Sequence, residues 1–164
     1  MKLCITGTPG TGKTKISKLL SKKLGWKLIE LNKLAKEKKL YSGFDKKRSC
    51  KIIDMEKLNR EIKKLKGNFI FESHYSQKAG CDKIILLTAD PKELKARLER
   101  RKWKKQKIKE NMEAEIMEVI KSEVYDVFPK KNILEIDTTA LTAIDTTARI
   151  VKFLGSSNGK VYIN

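Results

Sequence analysis

Short apolar runs alternate along this chain with longer stretches that repeat an apolar residue every three or four positions. Leu3-Cys4-Ile5-Thr6 reads as a first buried strand. Thr14 to Leu24 has the helical period, with Ile16, Leu19, Leu20 and Leu24 in one stripe, and Gly25 sits where a helix stops. Lys27 to Leu31 predicts a second strand, and Asn32 to Leu40 a short basic helix capped by Asn32. Asp54 is placed to cap a helix whose Leu58, Ile62 and Leu65 face inward and which Gly67 ends. Asn68 to Glu72 is a third strand that finishes in a carboxylate. Lys83 to Thr88 is a fourth, nearly continuous in Ile and Leu as a doubly covered parallel strand requires. Asp90-Pro91 opens a helix through Leu94 and Leu98. After a basic stretch, one long helix is expected to about Val127, stopped ahead of Pro129. Ile133 to Ile136 is a fifth strand, Thr142 to Leu154 the last helix, and 155–164 a polar tail. Five strands with covering helices predict a doubly wound α/β domain: three layers, α/β/α, on a five-stranded parallel sheet.

Composition narrows the class. At 164 residues and 40% hydrophobic, the chain makes one globular domain with a real core. Its longest apolar runs, such as Ile84 to Leu87, are far too short for a bilayer. Met1 to Thr6 leads straight into a glycine motif and leaves no room for a signal peptide. Cys4, Cys50 and Cys81 are odd in number and widely spaced, which argues against a disulfide framework or zinc site and for a reducing compartment. A cytoplasmic monomer without a membrane segment is the expectation. The net charge of +18 attracts polyanions, nucleotide phosphates and RNA alike, and lysine-rich surfaces also suit thermophiles. Charge alone does not separate these readings.

Chemistry enters at Gly7-Thr8-Pro9-Gly10-Thr11-Gly12-Lys13-Thr14, which fits G-x-x-x-x-G-K-[ST] at every fixed position. Glycines let backbone N–H groups approach phosphates, and the helix that follows adds the positive end of its dipole. Lys13 is suited to the β- and γ-phosphates of ATP, and the Thr14 hydroxyl to Mg²⁺. The motif follows an apolar strand and precedes a helical stripe, the context its function needs.

With that loop placed, four segments together resemble the archaeal and eukaryotic-nuclear branch of adenylate kinases, small P-loop proteins linked to maturation of the small ribosomal subunit. They are Thr6 to Thr14; Leu34-Ala35-Lys36-Glu37 with Leu40-Tyr41-Ser42-Gly43-Phe44-Asp45; Phe71-Glu72-Ser73-His74; and Leu98-Glu99-Arg100-Arg101 with Asn111-Met112-Glu113-Ala114-Glu115-Ile116. The resemblance covers about residues 1 to 127. It implies a P-loop NTPase core with a monophosphate-binding arm at 28–51 and a lid at 100–110. It also implies transfer of the γ-phosphoryl of Mg·ATP to AMP or another nucleoside monophosphate.

By the same resemblance Gly10, Gly12, Lys13, Thr14, Lys15 and Arg101 bind ATP, and Thr14 and Glu72 serve Mg²⁺. Lys36 contacts the acceptor, and Lys13, Glu72, His74 and Arg101 are the catalytic set. Seven of the ten residues from Arg100 to Lys109 are basic, so any one of several could share the lid role, and a solvated basic face or an RNA contact is the competing reading of the run. For His74 both proton transfer and positioning of water or a phosphate oxygen stay open. The chain departs from the branch where relatives carry arginine at Lys36 and a Gly-acidic pair at Asn32-Lys33. Lysine binds phosphate without a bidentate fork, so acceptor affinity and identity are at stake there. Tyr41, Phe44 and Trp103 are candidates to stack on bases. Two other readings stand beside transfer to AMP. One is an ATP-hydrolysing assembly factor that contacts a small-subunit precursor, its RNA or a ribosomal protein. The other is a kinase for a non-nucleotide acceptor.

Overall fold

A computed structural model describes residues 1–46 and 50–156. Five parallel strands form the central sheet: β1 (Lys2–Thr6), β2 (Lys27–Glu30), β5 (Phe69–Glu72), β6 (Lys83–Thr88) and β7 (Ile133–Asp137), in spatial order β2-β5-β1-β6-β7. A separate antiparallel pair, β3 (Tyr41–Asp45) and β4 (Cys50–Ile53), makes a hairpin away from it. The helices are α1 (Lys13–Leu24), α2 (Leu31–Glu37), α3 (Met55–Lys63), α4 (Pro91–Arg100), α5 (Lys105–Ile116), α6 (Val119–Val127) and α7 (Ala143–Ser156). The five-stranded three-layer α/β fold expected from the sequence is the one observed.

The pleat sorts the strand residues between two cores. Leu3 and Ile5 of β1 join Ile70, Ile85 and Leu87 on one face, under Ile16 and Leu20 of α1 and Ile150 and Leu154 of α7. Cys4 points the other way and joins Phe71, Ile84 and Leu86, covered by Leu31 of α2, Leu58 and Ile62 of α3, and Val124 of α6. Burial on both faces is why β6 reads as an unbroken apolar run. A third, small cluster of Leu94, Leu98 and Ile108, with Trp103 and Met112 against it, binds α4 to α5. Asp90 caps α4 by accepting from the Lys92 N–H at 2.8 Å, and Asp54 caps α3 by accepting from the Lys57 N–H at 3.0 Å.

Four expectations are corrected. The second helix begins at Leu31 with Glu30 at its cap, so Asn32 lies inside the first turn, and the helix ends at Glu37. Asn32 instead accepts a hydrogen bond from the Tyr75 hydroxyl at 2.9 Å. The long helix to Val127 is two helices: Glu118 takes a left-handed φ of 50° between α5 and α6 and turns the chain. No glycine or proline marks that break, so the helical period runs across it unseen. The hairpin β3–β4 was not legible in a lysine-rich stretch with little alternation. Cys4 and Cys81, 77 positions apart, are joined by a disulfide with Cα atoms 5.9 Å apart, and Cys50 is free and exposed. Pairing of β1 with β6, Leu3 opposite Lys83, brings the two cysteines together, so their spacing no longer supports a reducing compartment. α7 runs on through Ser156, and the rest of the expected tail, 157–164, lies outside the described residues. Among the described residues no helix is long and apolar enough to cross a membrane.

Candidate active site

All five parallel strands end on one edge of the sheet, at Thr6, Glu30, Glu72, Thr88 and Asp137. From β1 the chain leads to β2 on one side, while β6 and β7 lie on the other. A crevice opens at such a switch point, outside the carboxyl ends of the strands. The phosphate loop fills it. Gly7 has φ 140° and a Cβ there would stand 2.1 Å from the Leu87 carbonyl oxygen. Gly10 has φ 103° and a Cβ there would meet Leu94 at 2.5 Å. Both positions therefore require glycine, for conformation and for close approach.

Lys13 opens α1, and its side chain folds back into the loop, where its ammonium donates to the carbonyls of Gly7 at 2.7 Å and Thr8 at 3.1 Å. Only 8% of Lys13 is exposed. Burial pulls its pKa down to about 8, opposed by the carboxylates of Glu72 and Glu115 and reinforced by the Arg101 guanidinium. Thr14 follows in the first turn of α1 and donates its hydroxyl to Glu72 at 3.3 Å. Glu72, at the end of β5, is raised by burial and by nearby Glu30, while Lys13 and the Thr14 hydroxyl pull it down.

His74 stands at the mouth of the crevice, its ring edge-on to Tyr75 with centroids 5.0 Å apart. Surrounding protein depresses its pKa first, then the charges of Lys13 and Lys107, with Glu123 opposing. These effects favour the neutral ring. Burial pushes the Tyr75 hydroxyl up, which keeps it a donor to Asn32.

A cavity of about 440 Å³ joins Gly10, Gly12, Lys13, Thr14, Lys15, Glu72, His74 and Arg101. Eight of the nine residues singled out from the sequence thus line one space. Lys36, in the last turn of α2, is exposed and does not line it. Trp103 lines the cavity and packs on the α4–α5 cluster, Phe44 is exposed on the hairpin, and the Tyr41 ring lies under the Lys51 ammonium at 4.7 Å.

The fold adds residues beyond those nine. Lys107 and Asn111, on successive turns of α5, line the cavity. Arg97 of α4 stitches the back of the phosphate loop, donating to the carbonyls of Gly10 at 3.4 Å, Thr138 at 2.9 Å and Thr139 at 3.2 Å. It also pairs with Glu93 one turn earlier at 2.9 Å. In sequence that pair reads as an ordinary surface bridge on a helix.

Thr14 and Glu72 offer hard oxygen donors facing each other beside the loop, a donor set that suits Mg²⁺ held mainly by phosphates and water. No cluster of three or more His, Cys, Asp or Glu fit to cage a metal occurs among the described residues. The arrangement can therefore bind a polyphosphate, neutralise its terminal phosphoryl group and orient an acceptor against it.

Similar proteins agree with that chemistry. A family model described as "AAA domain" matches residues 3–118. A protein of Methanosarcina acetivorans named "Putative adenylate kinase" is 42% identical over 95% of this chain and 87% of its own length. One of the same name from Methanocaldococcus jannaschii is 41% identical over 85% of this chain and 77% of its own. Among solved structures, shikimate kinase from Acinetobacter baumannii superposes with a TM-score of 0.69 at 14% identity, covering 97% of this chain and 95% of that one. Deoxyadenosine kinase from M. mycoides with bound dCTP does so with 0.61 at 18%, covering 95% and 100%. At such identities these two speak for the fold alone, whereas the sequence relatives speak for the family. The chain is a phosphotransferase that belongs to the archaeal adenylate kinase family of P-loop kinases.

Proposed function

We propose that this chain is a nucleoside monophosphate kinase that converts ATP and AMP into two ADP. The observation that carries the reading is the single cavity in which the phosphate-loop lysine, Thr14 with Glu72, His74 and Arg101 converge. ATP would lie with its phosphates in the Gly7–Thr14 loop, under a lid formed by 100–110. The acceptor would enter from the arm at 28–51, past Asn32, with Lys36 at its phosphate.

A phosphate oxygen of AMP attacks the γ-phosphorus while the bond to the β–γ bridging oxygen breaks, so one ADP forms and the other leaves. Both nucleophile and leaving group are anionic, so the protein's task is positioning and charge stabilisation. Lys13 holds the β- and γ-phosphates, and Arg101 stabilises the charge on the oxygens in flight. Bound Mg²⁺ would neutralise those oxygens, with Thr14 and Glu72 holding its inner and water shells. Neutral His74 orients a phosphate oxygen or water at the mouth of the site.

Glu72→Gln keeps the shape and removes the charge that orients the metal's water. It is expected to raise the Mg²⁺ concentration needed for half-maximal rate and to lower the maximal rate. Mg²⁺ titrations of the two proteins decide this, and superimposed curves would leave Glu72 a strand-end residue only. The proposed function itself is tested by initial rates with AMP, CMP, GMP, UMP and water as acceptors. AMP is expected to lead, and equal rates for all four nucleotides and water would sink it.

A second reading, ATP hydrolysis in small-subunit maturation with a basic face against RNA, is favoured by the net charge of +18. Water as the fastest acceptor would select it. No turnover of ATP with any of the five would point to a non-nucleotide acceptor.

A further inference from the structure

We propose that Glu115 is a positioning residue that couples α4 and α5 to the phosphate loop; the proposal rests on that loop being the ATP site. Glu115 lies in the last turn of α5, just before the chain turns at Glu118. Its carboxylate reaches back to the sheet edge and has two partners there. One oxygen accepts the Thr8 hydroxyl at 2.5 Å, and the other accepts the Ala89 backbone N–H at 2.9 Å.

Each partner leads to the chemistry. Thr8 is 1% exposed, and its carbonyl accepts from the Lys13 ammonium at 3.1 Å and from the Thr11 hydroxyl at 2.9 Å. Ala89 precedes Asp90, the cap of α4, whose other end carries Arg101. The opposite end of α5 brings Lys107 into the catalytic cavity, about 12 Å along the helix from Glu115 at 1.5 Å per residue. One carboxylate thus ties the phosphate loop, the root of α4 and the last turn of α5 at a single point.

A surface carboxylate at the end of a basic helix has no need of these partners. Here a negative charge is carried to the back of a loop built for anions, an arrangement that opposes ATP binding unless it serves the loop's own lysine. It does so by geometry, holding Thr8 where its carbonyl meets Lys13.

Two consequences separate positioning from mere support. Glu115→Ala removes both bonds of the carboxylate, to the Thr8 hydroxyl and the Ala89 N–H, so kcat/KM for ATP falls. Thr8→Val removes the hydroxyl end of the same bond and lowers kcat/KM as well, whereas Thr8→Ser keeps the bond and the activity. Glu115→Ala and Thr8→Val are each expected to lower kcat/KM about tenfold, and the double variant to be no worse than the weaker single one, because both break the same bond.

The experiment measures kcat/KM for ATP, with AMP as acceptor, for wild type, Glu115→Ala, Thr8→Val, their double variant, Thr8→Ser and Lys13→Ala. Melting temperatures establish which of them are folded. Should Glu115→Ala fail to fold, the comparison of Thr8→Ser with Thr8→Val stands in, since serine restores the hydroxyl and recovers most of what valine loses. Additive losses, or equal losses for serine and valine, overturn the proposal. An active Lys13→Ala would instead overturn the ATP site on which it rests.

Discussion

Lys13→Ala is expected to lower turnover at least about a hundredfold, a loss of ~3 kcal/mol or more in transition-state stabilisation, while the fold survives. Lys13 brings a buried charge to the place where the β- and γ-phosphates must lie, and phosphoryl transfer depends mostly on such placement. The fold survives because the ammonium is costly to bury, not a prop of the core. Its pKa is about 8 in the folded protein against an ordinary 10.5. The unfolded chain therefore binds the extra proton between these values, and wild-type stability gains from Lys13 as pH rises through that window. That gain is absent from the alanine variant, which is the more stable of the two below pH 8 as far as this group is concerned. Steady-state rates and melting curves at neutral and alkaline pH check both statements. A variant retaining more than about a tenth of wild-type activity would remove this loop as the ATP site.

Arg101→Ala is expected to reduce the maximal rate about 10²–10³-fold and to raise the Michaelis constant for ATP much less. That pattern belongs to an interaction made mainly in the transition state. Arg101 caps the end of α4 at the cavity wall, close enough to Lys13 to depress its pKa. Its neighbours differ. Lys104 and Lys105 are exposed and do not line the cavity, so alanine there should change rates only modestly. That modest effect should vanish at high salt, since exposed charges are screened within ~10 Å at 0.1 M. Lys107 does line it and is expected to fall between the two classes. Kinetics of the four variants at low and high salt provide the ranking. A Lys104 or Lys105 variant as impaired as Arg101→Ala at high salt would place the catalytic cation elsewhere.

Local pattern carried most of the architecture. The β6 strand is bounded in the sequence as in the structure, because four consecutive apolar residues have to be covered on both faces. The α4 start was equally plain, since Asp90 and Pro91 satisfy and omit the donors that a helix leaves free at its first turn. The break at Glu118 was hidden because a non-glycine residue holds φ 50° there, between a backbone bond from its N–H to the Glu115 carbonyl and one from the Ser122 N–H to its own carbonyl. Hairpin β3–β4 was hidden because its exposed strands bury too little to leave an alternating pattern.

The sequence by itself determined the phosphate loop, the parallel sheet beneath it and the carboxylate at the end of β5. Each of these is written in residues close together along the chain and subject to one local constraint. Only the tertiary structure decided that Cys4 meets Cys81, that Arg97 braces the loop, that Tyr75 holds Asn32 and that Glu115 reaches Thr8. Those partners lie 43 to 107 positions apart. A hydrogen bond at that separation leaves no periodicity, because it depends on the order of the strands and on the angle at which a helix is laid across them.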